Sequence, residues 1–274
     1  MARLTKIILT FLIVMFSFQA QAKNPPPGTG TSDIPANILI MLDNSGSMSS
    51  KLYASVEIYH PLDVATDSSG NVYVMEYYNN RIKVFDSSGV YKRSFGGRGN
   101  SCNRWNYARQ FTIYNDKIYI ADTYNHRIVK LSLTGQCERT SATRYNYPVS
   151  IAVRSNNMHV GFGQTYGGNS YITYHHVDYL YTCSSMSMAT SMMFYPWGMS
   201  YNSNGTKLLI SGYDRNKLVE FNISGSSCGG GSMGYSQNSA SSSNPYVTGS
   251  YTGNNGGFRR PTDAVYDSNG NIYA

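Results

Sequence analysis

The chain has 274 residues, of which 41% are hydrophobic, 14% aromatic and only 14% charged. Disordered proteins carry few aromatic residues and much net charge, so this composition excludes a disordered chain. The formal net charge is +7, but the lysines and arginines are scattered and form no run of the length that is typical of nucleic-acid patches. We therefore expect no nucleic-acid partner.

Residues 1–22 have the three parts of a secretory signal peptide. Arg3 and Lys6 supply positive charge, residues 7–18 are apolar, and Ala20-Gln21-Ala22 is a typical cleavage site. The apolar run is shorter than the roughly 20 residues that span a bilayer, and no second run of spanning length follows. The sequence predicts an exported protein (secreted, periplasmic or at the cell surface) with no transmembrane span after cleavage.

Export permits disulfide bonds, and the exported part would contain the four cysteines Cys102, Cys137, Cys183 and Cys228. They form no C-x-x-C pair, and no histidine stands at zinc-ligand spacing from any of them. We expect structural disulfides, with all three possible pairings left open.

The segment 37–50, which follows a linker over 23–36, contains the motif with the clearest chemistry. An apolar run from Ile38 to Leu42, typical of a buried parallel strand, leads into Asp43, Ser45 and Ser47 in D-x-S-x-S spacing. One carboxylate and two hydroxyls are oxygen ligands that suit Mg²⁺ or another divalent cation. The simpler interpretation is a polar turn in a serine-rich chain.

This motif resembles the metal-ion-dependent adhesion site of von Willebrand factor A domains. The resemblance implies that Asp43, Ser45 and Ser47 are metal ligands and that residues 37–50 are the first strand and metal loop of such a domain. The family completes the metal shell with a threonine and an aspartate on later loops. We therefore expect Mg²⁺ binding only if the rest of an interrupted A domain follows residue 274; the alternative is a degenerate domain.

An internal repeat occupies residues 51–274. Equivalent positions recur with steps of 46, 40, 50 and 64 residues, at Tyr73, Tyr119, His159, Leu209 and Tyr273. Each copy contains three or four short alternating strands separated by Gly, Asn, Asp and Ser turns, which is the content of one propeller blade. The Gly-, Ser- and Asn-rich residues 224–257 account for the longest step and predict a flexible surface loop.

The phrases from Asn71 to Phe85 and from Ile118 to Ile128 resemble the NHL repeat family, whose members form β-propellers, often with six blades. The resemblance implies an all-β fold after a short α/β start, with four blades and part of a fifth. We expect a propeller that is incomplete at the C-terminus, truncated from six blades. The alternating residues 51–59 are expected to supply an outer strand that clasps the last blade.

Four groups of side chains suggest local roles. His126 is predicted to make a structural loop contact, and His175-His176 beside Asp178 to be an exposed loop pair rather than a metal site. Trp105 and Trp197 are predicted to pack between blades. Asp122 and Asp214 are predicted to hold backbone amides in turns.

For function, the exported start Pro35–Met48 resembles the N-terminal region of type IV pilus tip-associated adhesins, which implies pilus components among the partners. The leading hypothesis is a secreted or cell-surface adhesion protein, without catalytic activity, whose propeller binds a protein or glycan. One alternative is a structural scaffold with a degenerate metal motif. The other is an enzyme like the NHL-type lyases of C-terminal hydroxyglycine peptides, which use histidines and metal ions at the propeller axis.

Overall fold

The computed structural model describes residues 56–141, 146–155, 157–163, 170–180, 182–188, 195–213, 217–224, 234–237 and 260–274. The chain divides into the units Met1–Leu39 and Ile40–Ala274, and every described residue belongs to the second unit. The predicted signal peptide, the linker and the metal loop with Asp43, Ser45 and Ser47 lie outside the described residues. No helix among the described residues is long and apolar enough to cross a membrane.

The second unit is an all-β propeller, as the sequence predicted. Four sheets each contain four consecutive antiparallel strands, and a fifth sheet contains two. We number them as blades 1 to 5. Their strands are β1 Pro61–Thr66, β2 Val72–Glu76, β3 Arg81–Phe85 and β4 Tyr91–Gly96; β5 Phe111–Tyr114, β6 Lys117–Asp122, β7 Arg127–Ser132 and β8 Cys137–Thr140; β9 Pro148–Arg154, β10 Asn157–Phe162, β11 Ser170–His176 and β12 Thr182–Met188; β13 Pro196–Tyr201, β14 Lys207–Gly212, β15 Lys217–Ser224 and β16 Gly234–Gln237; and β17 Val265–Tyr266 and β18 Ile272–Tyr273.

The strand register agrees with the repeat found in the sequence. The five equivalent positions all lie in the second strand of their sheet, opposite a residue of the first strand. The pairs are Ala65 with Tyr73, Thr112 with Tyr119, Ala152 with His159, Ser200 with Leu209, and Val265 with Tyr273. The repeat spacing therefore corresponds to one blade.

Neighbouring blades bury apolar side chains between them. Between blades 1 and 2, the indole of Trp105 is fully buried in a cluster that includes Met75, Ile82 and Ile118. Gly96 has a φ of +106° and leaves the space that the indole ring fills, since a Cβ there would overlap it. The prediction that Trp105 packs between blades is confirmed.

Two expectations about segments differ from the structure. Residues 234–237, inside the predicted loop 224–257, form β16, in which Tyr235 lies opposite Ile223 of β15. An outermost strand needs backbone partners on one side only, so a polar composition is no obstacle to it. Of the expected clasping strand 51–59, residues 51–55 lie outside the described residues, residues 57–59 form no strand, and Val56 and Ile58 pack against blade 1.

One disulfide is fixed by the structure. Cys102 is bonded to Cys137, so the loop 97–105 that precedes blade 2 is tied to β8. Cys183 is also disulfide-bonded, and Cys228 lies outside the described residues. Closing a loop of this length stabilises the fold by about 4 kcal/mol in the chain-entropy view.

Candidate binding face

The residue that opens each blade has a left-handed backbone. These residues are His60, Tyr107, Tyr147, Tyr195 and Arg260, with φ values of 48°, 48°, 50°, 58° and 52°. Four of them precede a proline, and Tyr107 precedes the equivalent Ala108. A large side chain rarely adopts this conformation, and each such position costs about 1–3 kcal/mol. At five equivalent places the chain therefore keeps an aromatic or cationic side chain where glycine would be relaxed.

Hydrogen bonds from the same blade hold several of these strained residues. The N–H groups of Tyr77, Gly163 and Tyr213 donate to the carbonyls of His60, Tyr147 and Tyr195, at 3.1, 3.0 and 3.2 Å. In each case the donor follows the second strand of the blade. Each strained residue is thus held at the end of the strand pair where the first strand begins and the second strand ends.

The preceding blade supplies a second set of bonds. Asn80 and His126 occupy equivalent sites before β3 and β7, and both are left-handed, with φ of 52° and 55°. Asn80 Oδ1 accepts from Tyr107 N–H at 2.5 Å, and His126 Nδ1 accepts from Tyr147 N–H at 3.2 Å. An accepting Nδ1 carries no proton. His126 therefore makes the structural loop contact that the sequence predicted.

Aromatic rings run in an unbroken row along this edge of blades 1 to 3. Successive centroids are 4.3–5.7 Å apart through Tyr59, His60, Tyr78, Tyr77, Tyr107, Tyr124 and Tyr147. Four of the seven are strongly exposed: Tyr59 at 50%, Tyr78 at 56%, Tyr124 at 46% and Tyr147 at 40%. A contiguous exposed aromatic surface of this kind marks an interaction site more often than single exposed rings do.

Arginine side chains lie over these rings and extend the surface to blade 4. Arg98 lies 5.1 Å from the ring centroid of Tyr107. Arg109 lies 5.6 Å from that of Tyr77 and 4.4 Å from that of Trp197. We call the seven rings of the row, together with Arg98, Arg109, Trp197, Tyr213 and Arg260, the tyrosine face.

Trp197 contacts two blades through its indole. It is half-buried and stacks on Tyr213 of its own blade at 3.9 Å, and Arg109, which precedes β5 of blade 2, lies over the same ring. Arg260 lies 5.3 Å from the centroid of the same Tyr213 ring. The indole of Trp197 therefore lies at the surface, stacked on Tyr213, the residue that follows β14.

A carboxylate frame supports the loops of the tyrosine face in blade 2. Asp122 ends β6, and its carboxylate accepts from Asn106 N–H at 2.8 Å, Asn125 Nδ2 at 2.8 Å and Arg127 Nε at 2.7 Å. Arg127 also donates to three carbonyls of the loop 97–105. Burial raises the pKa of Asp122 in spite of these bonds. Asp122 thus holds a backbone amide, as predicted; Asp214 lies outside the described residues.

Blade 1 has the same frame with one more cation. Glu76 ends β2 and contacts Arg81, Lys83 Nζ at 2.9 Å and Asn79 Nδ2 at 3.1 Å, and it accepts from Tyr59 N–H at 2.8 Å. Burial alone would raise the pKa of Glu76, but these hydrogen bonds lower it below its ordinary value. Both frames follow from the shared pattern of an acid, an Asn three residues on and an Arg five residues on.

Polar side chains join the first strands of neighbouring blades, which contact one another around the centre of the propeller. We call these the inner strands and the central region the channel. Asp63 Oδ2 accepts from Phe111 N–H of the next blade at 2.8 Å, and Gln110 Oε1 accepts from Ile151 N–H at 2.8 Å. Ser150 Oγ donates to the Pro196 carbonyl at 2.5 Å. In blades 1 to 3, the third residue after the blade opening therefore bonds to the following blade; the equivalent residue of blade 4 is Gly198, which has no side chain.

A pocket lies where this channel meets the tyrosine face. Its lining residues are Leu62, Asp63, Arg109, Gln110, Trp197, Thr262 and Asp263. Burial and the neighbouring Asp263 raise the pKa of Asp63 well above its ordinary value. Burial raises the pKa of Asp263 to about 6. Asp63 accepts two backbone N–H groups, one from the adjacent Val64 and one from Phe111 of the next blade.

The histidines are distributed between the tyrosine face and blade 3. His159 is fully buried and its Nδ1 contacts the Tyr201 hydroxyl, and burial lowers its pKa to about 3. His175 is also buried, at the end of β11, and Asp178 pairs with Lys130 at 3.0 Å. The predicted exposed loop pair is therefore wrong, because β11 extends through both histidines. Within the described ranges, no group of three or more His, Cys, Asp or Glu could hold a metal ion.

The left-handed blade openings, which are the main feature of this site, were not among the sequence predictions. The opening residue precedes a proline in four blades and Ala108 in blade 2, and it is tyrosine in three blades, histidine in one and arginine in one. A recurring large side chain beside a recurring proline was the available signal.

Comparison with known proteins agrees with the fold. Residues 55–177, less than half of the chain, match the DUF5128 family, which is described as a 6-bladed β-propeller. No curated protein matches the chain. The prediction of an NHL-type repeat stays a prediction.

Solved structures with the same fold are distant in sequence. A chain from a nidogen/laminin complex is 14% identical with a TM-score of 0.53, over 78% of this chain and 70% of that one. The hydrazine synthase of Kuenenia stuttgartiensis is 10% identical with a TM-score of 0.52, over 77% of this chain. This chain spans 59% of that structure, which is less than two thirds of its length. The chain is an all-β propeller, similar over residues 55–177 to a family of six-bladed propellers.

Proposed function

We propose that the chain is an exported binding protein that engages a protein partner through the tyrosine face. The observation that carries this proposal is the set of five strained blade openings, which keep large side chains where the backbone favours glycine. Strain that persists at equivalent positions is typical of ligand sites. Tyr, Trp and Arg, which make up this face, are also the residues most enriched in protein interfaces.

The ring geometry favours a protein over a glycan as the partner. The interplanar angles are 85° between Tyr78 and Tyr107, 72° between Tyr107 and Tyr124, and 89° between Tyr124 and Tyr147. Sugar rings stack on flat platforms, whereas these rings present edges and faces in turn. Such an uneven surface suits the varied side chains of a protein better than the flat face of a sugar ring. The similar chain from a nidogen/laminin complex is likewise part of a protein assembly.

Further parts of the adhesion hypothesis remain predictions. A divalent cation held by Asp43, Ser45 and Ser47 would add a cation-dependent contact, and the signal peptide would place the protein outside the cytoplasm, with pilus components among its partners. Calorimetric titration of the full chain with Mg²⁺, against Asp43→Ala, tests the metal site. The proposal gives the tyrosine face a binding role and no catalytic step.

The test of the binding role uses a matched pair of double variants. The full chain, after signal removal, is immobilised and probed with a panel of purified cell-surface and matrix proteins and with a glycan array. Tyr78→Ala with Tyr124→Ala removes two exposed rings of the face. Tyr91→Ala with Tyr179→Ala removes two rings of similar exposure elsewhere, at 38% and 59%.

We expect a protein of the panel to bind, at least about tenfold more weakly to the face variant and within about twofold of wild type to the control. Binding to glycans alone, or equal losses in the two double variants, would contradict the proposal.

A further inference from the structure

We infer that the partner segment bound by the tyrosine face is an acidic polypeptide, with carboxylates interspersed among apolar or aromatic side chains. The inference rests on the proposed binding role of this face and specifies the chemistry of its partner.

Three arginines at this edge form no ion pair with the chain's own carboxylates among the described residues. Arg98 and Arg104 are exposed in the loop 97–105, and Arg109 is half-buried at the channel mouth. Among the described residues, no ion pair uses any of the three. Arg98 and Arg109 lie over aromatic rings instead, which fixes the guanidinium plane while its N–H groups remain able to meet a carboxylate in bidentate geometry.

The carboxylates of the same edge are already neutralised by neighbouring cations. Glu76 is paired with Arg81 and Lys83, and Asp122 with Arg127. In the pocket, burial and the neighbouring Asp263 raise the pKa of Asp63 well above its ordinary value, which reduces the negative charge that Asp63 places near Arg109. The tyrosine face therefore has an excess of positive charge.

The opposite face of the propeller, formed by the turns between strands one and two and between strands three and four, carries acids. Asp86, Asp116 and Asp267 are exposed or half-exposed and form no ion pair among the described residues, whereas Asp178 pairs with Lys130. Carboxylates without an ion pair on that face repel an acidic partner, and the arginines attract it to the tyrosine face. Such complementarity raises the association rate and orients the encounter.

The exposed rings decide between an acidic polypeptide and a sulfated glycan, which offers the same negative charge. The exposed parts of these rings offer apolar surface that an apolar or aromatic side chain covers. A sulfated sugar chain has no such side chains, so it would satisfy the arginines and leave the rings uncovered. A polypeptide that combines the two kinds of group satisfies both.

The experiment measures binding of defined polymers to the full chain by biolayer interferometry. The probes are the random copolymer poly(Glu,Tyr), its charge-reversed counterpart poly(Lys,Tyr), and heparin. Arg98→Glu with Arg104→Glu reverses the charge of Arg98 in the tyrosine face and of Arg104 beside it in the loop 97–105. Lys92→Glu with Arg139→Glu makes the same change of charge at exposed positions of β4 and β8, and thermal melts confirm that all variants fold.

We expect poly(Glu,Tyr) to bind and to weaken at least about tenfold between 50 and 300 mM NaCl. The face variant should lose at least about tenfold in affinity, and the control should stay within about twofold. Poly(Lys,Tyr) should not bind.

Absence of poly(Glu,Tyr) binding, heparin binding alone, or equal effects of the two variants would overturn the inference. If the tyrosine variants lose a panel protein that both charge variants retain, the proposed function stands and the acidic partner is wrong. If neither the tyrosine nor the arginine variants change any binding, both proposals fail.

Discussion

The two faces of the propeller place different residues at positions of positive φ. Tight connections on both faces require positive φ. On the face opposite the tyrosine face, which we call the turn face, this conformation falls on the glycines Gly70, Gly89, Gly135, Gly205 and Gly270 and on Asn115, Asp116, Ser155 and Leu180. On the side of the tyrosine face, it falls on Gly96, Gly97, Asn80 and His126 and, at every blade opening, on a large side chain. The difference lies in the blade openings, where a particular large side chain is retained at the expense of stability.

Aspartates stabilise three turns of the turn face through hydrogen bonds. Asp67, Asp86 and Asp267 each accept backbone N–H groups two and four residues ahead. Such turns are local and need no help from another blade. The tyrosine face depends instead on Glu76 and Asp122, whose hydrogen bonds and ion pairs extend into neighbouring loops.

The largest effect is expected from Arg127→Ala, which removes the support of the tyrosine face in blade 2. The change leaves the buried Asp122 carboxylate without its cation and three loop carbonyls without a donor, so the unfolding free energy should fall by about 3 kcal/mol. Arg81→Ala in blade 1 should lose only about 1 kcal/mol, because Lys83 still pairs with Glu76. Urea denaturation measures both, and equal losses would show that the two frames are not different.

The next effect concerns the channel between the two faces. Burial raises the pKa of Asp263 to about 6, so the folded chain holds this proton more tightly than the unfolded chain. The contribution to stability is complete below the ordinary carboxyl pKa and is lost as the pH rises through about 6. Asp263→Asn should remove this decline and stabilise the protein at pH 7 by on the order of 2 kcal/mol.

Asp67 on the turn face provides a control of opposite sign. Burial opposes its charge, but bonds from Asn71 and others lower its pKa overall. Its contribution is therefore present above the ordinary carboxyl pKa and lost as the pH falls. Unfolding measured from pH 3 to 8 for Asp67→Asn should show a shallower acid decline; the same change of slope in both variants would contradict the assignments.

Backbone strain itself can be measured on both faces. At Gly70, φ is +77° and an added Cβ would make only an ordinary contact with Ser87, so Gly70→Ala should lose about 1 kcal/mol from strain alone. On the tyrosine face, Tyr147→Ala and Tyr147→Gly both remove the ring, but only glycine relaxes the backbone. Tyr147→Gly should therefore be about 1 kcal/mol more stable than Tyr147→Ala in thermal or urea unfolding. If alanine is the more stable of the two, residue 147 is not strained.

The smallest effect on stability is expected from the binding variant Tyr78→Ala with Tyr124→Ala. Both rings are about half-exposed and neither belongs to the buried clusters, so the unfolding free energy should change by less than about 0.5 kcal/mol. Calorimetric melting tests this expectation. A larger loss would mean that the rings serve the fold, and it would weaken their assignment to binding.

The sequence predicted the blades better than the face. Tyr73 and its equivalents repeat because each blade needs the same pairing, so spacing alone located them. The left-handed backbone at His60, Tyr147 and Tyr195 could not be predicted, because a residue before proline usually adopts an extended conformation. It is stabilised here by hydrogen bonds from residues that follow the second strand of the same blade. The burial of His175 was missed because it depends on the length of β11.

The bonds between inner strands have a consequence for how the protein folds. Asp63 to Phe111, Gln110 to Ile151 and Ser150 to Pro196 join residues 48, 41 and 46 positions apart. In a linear repeat array, a terminal unit can unravel while its neighbours persist. Here the amide protons of Phe111 and Ile151 are released to solvent only when two blades separate. We therefore expect the propeller to unfold and refold cooperatively, because its blades are coupled rather than independent units.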